Sequence, residues 1–227
     1  MSPLSFQALL SRGAAMVAFV LLLGGCVNAT VDEMTYNEPV AGIGESSVVI
    51  LGRRHAPDYD TEFDFIECIG DHIHSGDPSI EVINEIAFIN QFYPWFEPRT
   101  APLHSSNLQR LMQLPKVAQK FEDLKVEYIV WVDGVTRDGL VEDDGNGSLS
   151  CNLNGCFGFL TWETESEYEA TIWDLSDSVE VGKVNTEAVG QSYMPAVFVP
   201  IPIIAPVQGT ACDSLGDQLL EYLSAQY

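Results

Sequence analysis

VEYIVWVDG, residues 126–134, is the stretch on which the fold turns. From Tyr128 to Val132 five apolar residues follow one another without a polar break, rich in β-branched and aromatic types, and Asp133-Gly134 offers a turn that ends the run. A strand with that signature is a central strand of a sheet. SVVILG, residues 47–52, repeats the signature and supplies a second interior strand.

Between these two strands the chain reads as helix, strand and helices. Asp58 and Asp60 offer a helix cap, and Phe65, Ile66, Ile69 and Ile73 then recur on one face as far as the Ser75-Gly76 stop. IEVI at 80–83 is a short strand, followed by a short helix around 84–90. QFYPWFEPRTAPLH, residues 91–104, sets prolines among aromatics and reads as an ordered loop packed by its own side chains. A helical region runs from Ser105 or Ser106 to about Leu124, with a break before Pro115.

Beyond residue 134, an acidic loop (TRDGLVEDDGNGSLS, 136–150) leads to Cys151-Asn-Leu-Asn-Gly-Cys156. Two long strands, about 157–173 and 179–191, are joined by a turn at 176–178. A proline-rich apolar segment follows, and the chain closes with a helix from about Thr210 to Ala225 whose Cys212, Leu215, Leu219 and Tyr222 share a face. The expectation is an α/β (α+β) domain over residues 46–227, with a mixed sheet of about five strands covered by helices.

The amino-terminal end has a different character. Residues 13–23 form an apolar run of 11, too short for a membrane span of about 20 residues and suited to a secretory signal. Leu23-Gly24-Gly25-Cys26 follows, and it resembles the processing motif of bacterial lipoprotein signal peptides at all four positions. The resemblance implies that residues 1–25 are a signal peptide removed before Cys26, that Cys26 carries acyl chains such as palmitate, and that residues 26–45 form a flexible tether. Val27, rather than Asp, after the cysteine implies delivery to the outer membrane. Several acyl chains hold a protein to a bilayer without a transmembrane segment.

With Cys26 set aside, Cys68, Cys151, Cys156 and Cys212 remain in a chain assigned to an oxidising compartment, so two disulfides are expected. Three connectivities are possible. The turn formers between Cys151 and Cys156 favour that local pair, which leaves Cys68 for Cys212. Zinc competes for the same cysteines, but no second close cysteine or histidine pair has the usual ligand spacing.

The net charge is −23, and −24 without Arg12, the only Lys or Arg before Cys26. Such a chain repels nucleic acid and anionic headgroups. Glu163, Glu165, Glu167 and Glu169 alternate along one strand face and are weak metal candidates, with a solvated sheet face as the simpler reading. Asp144, Asn146 and Ser148 alternate as in a calcium loop, but Leu149 stands where glycine belongs. His72 and His74, two apart on a helix, cannot share a ligand. Arg53, Arg54 and His55 form the one basic cluster, at a strand end where α/β folds bind anions; pairing with Asp58, Asp60 or Glu62 is the plainer explanation.

MPAVFVPIPIIAPV, residues 194–207, has four prolines, so no helix or central strand is expected through it. It is either a buried connection or an exposed partner surface, with Phe198, Val199, Ile201 and Ile203 as its candidates and Phe92 and Trp95 as a matching half. No GxSxG, HExxH, phosphate-binding GxxxxGK or GxGxxG motif is present. SVVILG, VEYIVWVDG, the hairpin EYEATIWDLSDSVEVGKV and the closing helix together resemble the small periplasmic α/β domain of three lipoprotein-related families. These are the curli-secretion lipoproteins, the penicillin-binding-protein activators and the amino-terminal domain of the Tol-system propeller protein. The resemblance implies a non-catalytic assembly or binding role, with no cofactor and with a protein partner or self-association. The alternative is an envelope hydrolase or small-ligand-binding domain using Arg53 to His55.

Overall fold

Val48 to Leu51 and Tyr128 to Val132 are all at most 4% exposed, so alternate side chains of each run are buried on opposite faces of the sheet. The computed structural model describes residues 29–35, 47–56, 59–139 and 145–224. In chain order the elements are β1 (Ala29–Thr35), β2 (Ser47–Gly52), β3 (Arg54–Ala56), β4 (Tyr59–Asp60), α1 (Phe63–Gly76), β5 (Glu81–Ile83) and α2 (Glu85–Gln91). They continue with α3 (Ser105–Met112), α4 (Pro115–Asp123), β6 (Val126–Asp138), β7 (Asn146–Asn152), β8 (Gly155–Asp174), β9 (Val179–Pro200) and α5 (Val207–Ser224).

The main sheet has the order β1-β9-β8-β6-β2-β5, with β7 added to the outer part of β8. β2 runs parallel to both β5 and β6, while β6, β8, β9 and β1 alternate antiparallel. The chain leaves β2 through α1 to reach β5 on one side, then returns through α2 to α4 to reach β6 on the other. Helices therefore cover both faces. α1 and α5 pack Phe65, Ile69, Ile73, Leu215 and Leu219 against Val130, Tyr168 and Ile172. On the opposite face α2, α3 and α4 pack Phe88, Leu108 and Phe121 against Leu51, Ile129 and Trp131. Each fully buried large side chain of these two cores contributes about 1.5–3 kcal/mol.

The mixed α/β architecture is the one the sequence implies, and α1 buries Phe65, Ile66, Ile69 and Ile73, the four residues of the predicted stripe. α4 opens with Pro115 in its first turn, where a missing N–H costs nothing. Both disulfides are those expected. Cys151–Cys156 cross-links directly opposed residues of the β7–β8 hairpin, and Cys68–Cys212 joins α1 to α5.

Several expectations are corrected. The expected mixed sheet is extended to seven strands where Ala29–Thr35 pair with β9 and Asn146–Asn152 pair with β8. The expected tether of residues 26–45 thus contains a strand. β6 runs through Asp133-Gly134 to Asp138. A Cβ at Gly134 would lie 2.2 Å from the Glu167 carbonyl and 2.4 Å from the Tyr168 ring, so the glycine makes room for the Tyr168 ring rather than ending the strand. The cap of α1 is Glu62, not Asp60; Asp58 lies outside the described residues. β9 also runs through Pro195, which faces Phe159 of β8. There β1 no longer pairs with β9, so the proline occupies an edge.

Candidate functional site

Arg53 and Arg54 of the predicted basic cluster line one small cleft with Glu85 and Trp131, and each is engaged by a partner of its own. Arg53 is 9% exposed, stacks 3.8 Å from the Trp131 ring centre and donates from Nη1 to the Pro102 carbonyl at 2.7 Å. Burial lowers its pKa to about 10, against the opposing pull of Asp133, and leaves it charged at neutral pH. Arg54 lies over the Phe63 ring and holds Glu85 through two hydrogen bonds of 2.7 and 3.1 Å. Glu85 also accepts from the Gly52 N–H. The charge partner of the cluster is therefore Glu85, not Asp60 or Glu62, and Arg53 and Arg54 do not converge on an anion. The His55 side chain and Asp58 lie outside what is described.

Glu62 has another task. It accepts from the Tyr168 hydroxyl at 2.7 Å and from the Thr136 N–H at 3.1 Å. Burial raises the Tyr168 pKa well above the usual tyrosine value, and donation to Glu62 adds to the effect. His72 joins α1 to α5, with Nε2 2.8 Å from Asp217 and Nδ1 3.4 Å from Asp213, while His74 points elsewhere, to a cleft between α1 and α2.

Glu163, Glu165, Glu167 and Glu169 share the face of β8 that the helices leave bare, and Tyr168, Ala170 and Ile172 lie in the covered core. Glu187 of β9 stands opposite Glu167. Lys183 pairs with Glu169 at 2.7 Å, and Arg137 approaches Glu167 at 3.7 Å. Among the described residues no three acidic, histidine or cysteine side chains gather in a way that holds a metal ion. Toward α3 this face ends in a polar groove of about 260 Å³ between Arg53, Trp131, Asp133, Trp173 and Lys183. Asn146 and Ser148, the supposed calcium ligands, are paired strand residues of β7; Asp144 lies outside the described residues.

The apolar candidates divide. Phe92 and Phe96 are 0% and 2% exposed in the second core, where Phe92 stacks on Phe88 and tilts against Phe121 and Phe96 meets Phe121 edge-on, so Phe92 is not a partner surface. Trp95 packs beside them. Phe198, Val199, Ile201 and Ile203 do lie on the surface. Phe198 and Val199 belong to a three-stranded ribbon formed by β7 and the ends of β8 and β9, Ile201 and Ile203 lie where the chain folds back along β9, and Phe157 and Phe159 are exposed there too. From Thr171, beside the aromatic core, to Phe159 the chain of β8 spans about 40 Å. The two halves of the predicted surface therefore never meet. Sequence reading missed Phe157 and Phe159, whose spacing of two is that of any strand face.

No family model and no curated protein sequence matches the chain. Among solved structures it is similar to the PelC dodecamer from Paraburkholderia phytofirmans, with 10% identity and a TM-score of 0.42, over 87% of this chain and 100% of that one. It is also similar to lipoprotein GNA1162 from Neisseria meningitidis, with 9% identity and a TM-score of 0.34, over 77% of this chain and 97% of that one. Among the described residues no helix is long and apolar enough to cross a membrane.

Proposed function

We propose that the chain is a lipid-anchored envelope protein, acylated on Cys26 and held on the periplasmic face of the outer membrane, whose α/β domain binds another envelope protein rather than catalysing a reaction. The observation that carries the anchor is the cysteine balance. Of five cysteines, four form two disulfides, and the remaining one is Cys26 in Leu23-Gly24-Gly25-Cys26. Disulfides of this kind persist in oxidising compartments, where such a signal delivers its cargo. Cys26 and the signal segment lie outside the described residues.

A binding role fits the bare carboxylate face of β8 and β9. Glu163, Glu165, Glu167 and Glu187 lie in the open with few cations beside them, which favours a basic partner surface through charge complementarity. The alternative of an envelope hydrolase or ligand-binding domain at Arg53 to His55 is disfavoured, since Arg53 is fastened to Pro102 and Arg54 to Glu85.

Covalent crosslinking in intact cells tests the binding role. A discrete crosslinked species should form with the native protein and vanish in a Glu165→Lys, Glu167→Lys variant, while Arg54→Ala leaves it in place. A species indifferent to the charge reversal would refute the proposed face.

A further inference from the structure

The ribbon of β7, β8 and β9 stands apart from the rest of the chain in charge. Residues 145–162 and 188–212 contain no Asp, Glu, Lys, Arg or His, in a protein of net charge −23. Nine of the fifteen exposed large apolar side chains among the described residues lie here. Phe157 and Phe159 share a face of β8, with Val197 opposite Phe157 and the Phe198 ring against Phe157 at 5.2 Å. Leu153 stands at the β7–β8 turn, Phe157 alternates along β8, and Val197, Phe198, Val199 and Ile201 follow one another where β9 leaves the sheet.

The position of the ribbon bears on what meets it. β1 begins at Ala29, opposite Gly190, and runs antiparallel to β9, so the chain before Ala29 departs toward the ribbon end of the sheet. Two residues separate Cys26 from Ala29, three steps along the chain and a reach of at most about 11 Å. From Gly190 to Val197 is about 23 Å along β9. An acyl anchor on Cys26 thus brings the ribbon end of the sheet to the membrane.

We infer that the β7–β9 ribbon is a membrane-contacting element: its uncharged tip enters the headgroup and upper acyl layer of the leaflet that holds the Cys26 anchor. This rests on the acylation reading above. On β8 and β9 the carboxylates begin at Glu163 and Glu187, behind the tip. Among the described residues β7 pairs only with β8, so one edge of the ribbon carries backbone groups without strand partners. Such an edge does not cross hydrocarbon, which limits the contact to the interface.

The test uses the full-length, processed protein in zwitterionic phosphatidylcholine vesicles, with Phe198→Trp as a fluorescent reporter and Val199→Trp as a second should the first fold poorly. The added emission should be largely lost with brominated acyl chains and be insensitive to aqueous iodide. Quenching by iodide and not by brominated lipid would overturn the inference. Quenching by neither, in a protein sedimenting as a multiple of its mass, would overturn it in favour of a second copy covering the ribbon. The mass of the amino-terminal peptide from the same sample separates the two readings. An acylated Cys26 with the reporter in water refutes the ribbon contact alone, and an unmodified Cys26 with the reporter in lipid refutes the anchor alone.

Discussion

Tyr168 shows how much one side chain organises. Its ring lies over Gly134 and stacks on Phe65 with centroids 3.5 Å apart, and its hydroxyl meets Thr136 and Glu62. Because the native state holds the phenol proton above the pH at which an unfolded tyrosine releases it, the folded chain binds more protons at high pH than the unfolded one. Stability therefore falls as pH rises beyond about 10. Tyr168→Phe should lower neutral-pH stability by about 1–3 kcal/mol through the partners left unmatched, and should flatten the alkaline loss. Denaturant unfolding of both proteins at pH 7 and above pH 10 checks this; an equal alkaline slope in the two would refute it. None of this was legible in the sequence. Asp133-Gly134 carries the same letters whether it turns a chain or makes room under an aromatic ring, and only the cross-strand partner decides. The Arg54–Glu85 pair was hidden for a related reason, since its members are 31 residues apart and meet through a parallel β2–β5 crossover.

At the scale of elements, the strands buried on both faces were the easiest to read. Continuous apolar runs such as VVIL and YIVWV have one comfortable environment, whereas β1 and β7 are short edge strands of mixed polarity that take their form from β9 and β8. The same contrast separates the two disulfides. Cys68–Cys212 closes a loop of 144 residues and ties α1 to α5, while Cys151–Cys156 closes one of 5 within a hairpin that the ladder already holds. On loop entropy, removing the first costs about 5 kcal/mol and removing the second about 2 kcal/mol. Thermal unfolding of the paired Cys→Ala variants should show the Cys68, Cys212 protein as much the weaker. Equal losses would contradict the assignment of α1 and α5 to one layer. α5 packs closely there, for a Cβ at Gly216 would lie 2.7 Å from the His72 ring.

The whole molecule separates its surfaces by chemistry. One helix-covered core buries Phe92 and Phe96 of the loop expected to face a partner, a bare sheet face carries carboxylates, and an uncharged apolar ribbon extends from the end of the sheet at which β1 begins. Sequence alone revealed the apolar proline segment but not that β9 runs into it, because Pro195 argues against a strand until the loss of a neighbour at that point is known. It also revealed the acidity without showing how far that acidity stays from the ribbon. The anchor and the disulfides are bound together in this account, and one measurement addresses both: the intact mass of protein taken from cells, denatured and alkylated without reduction. The account predicts residues 26–227 with acyl groups added and no alkyl adduct. A mass for residues 1–227 carrying alkyl groups on the cysteines would contradict it.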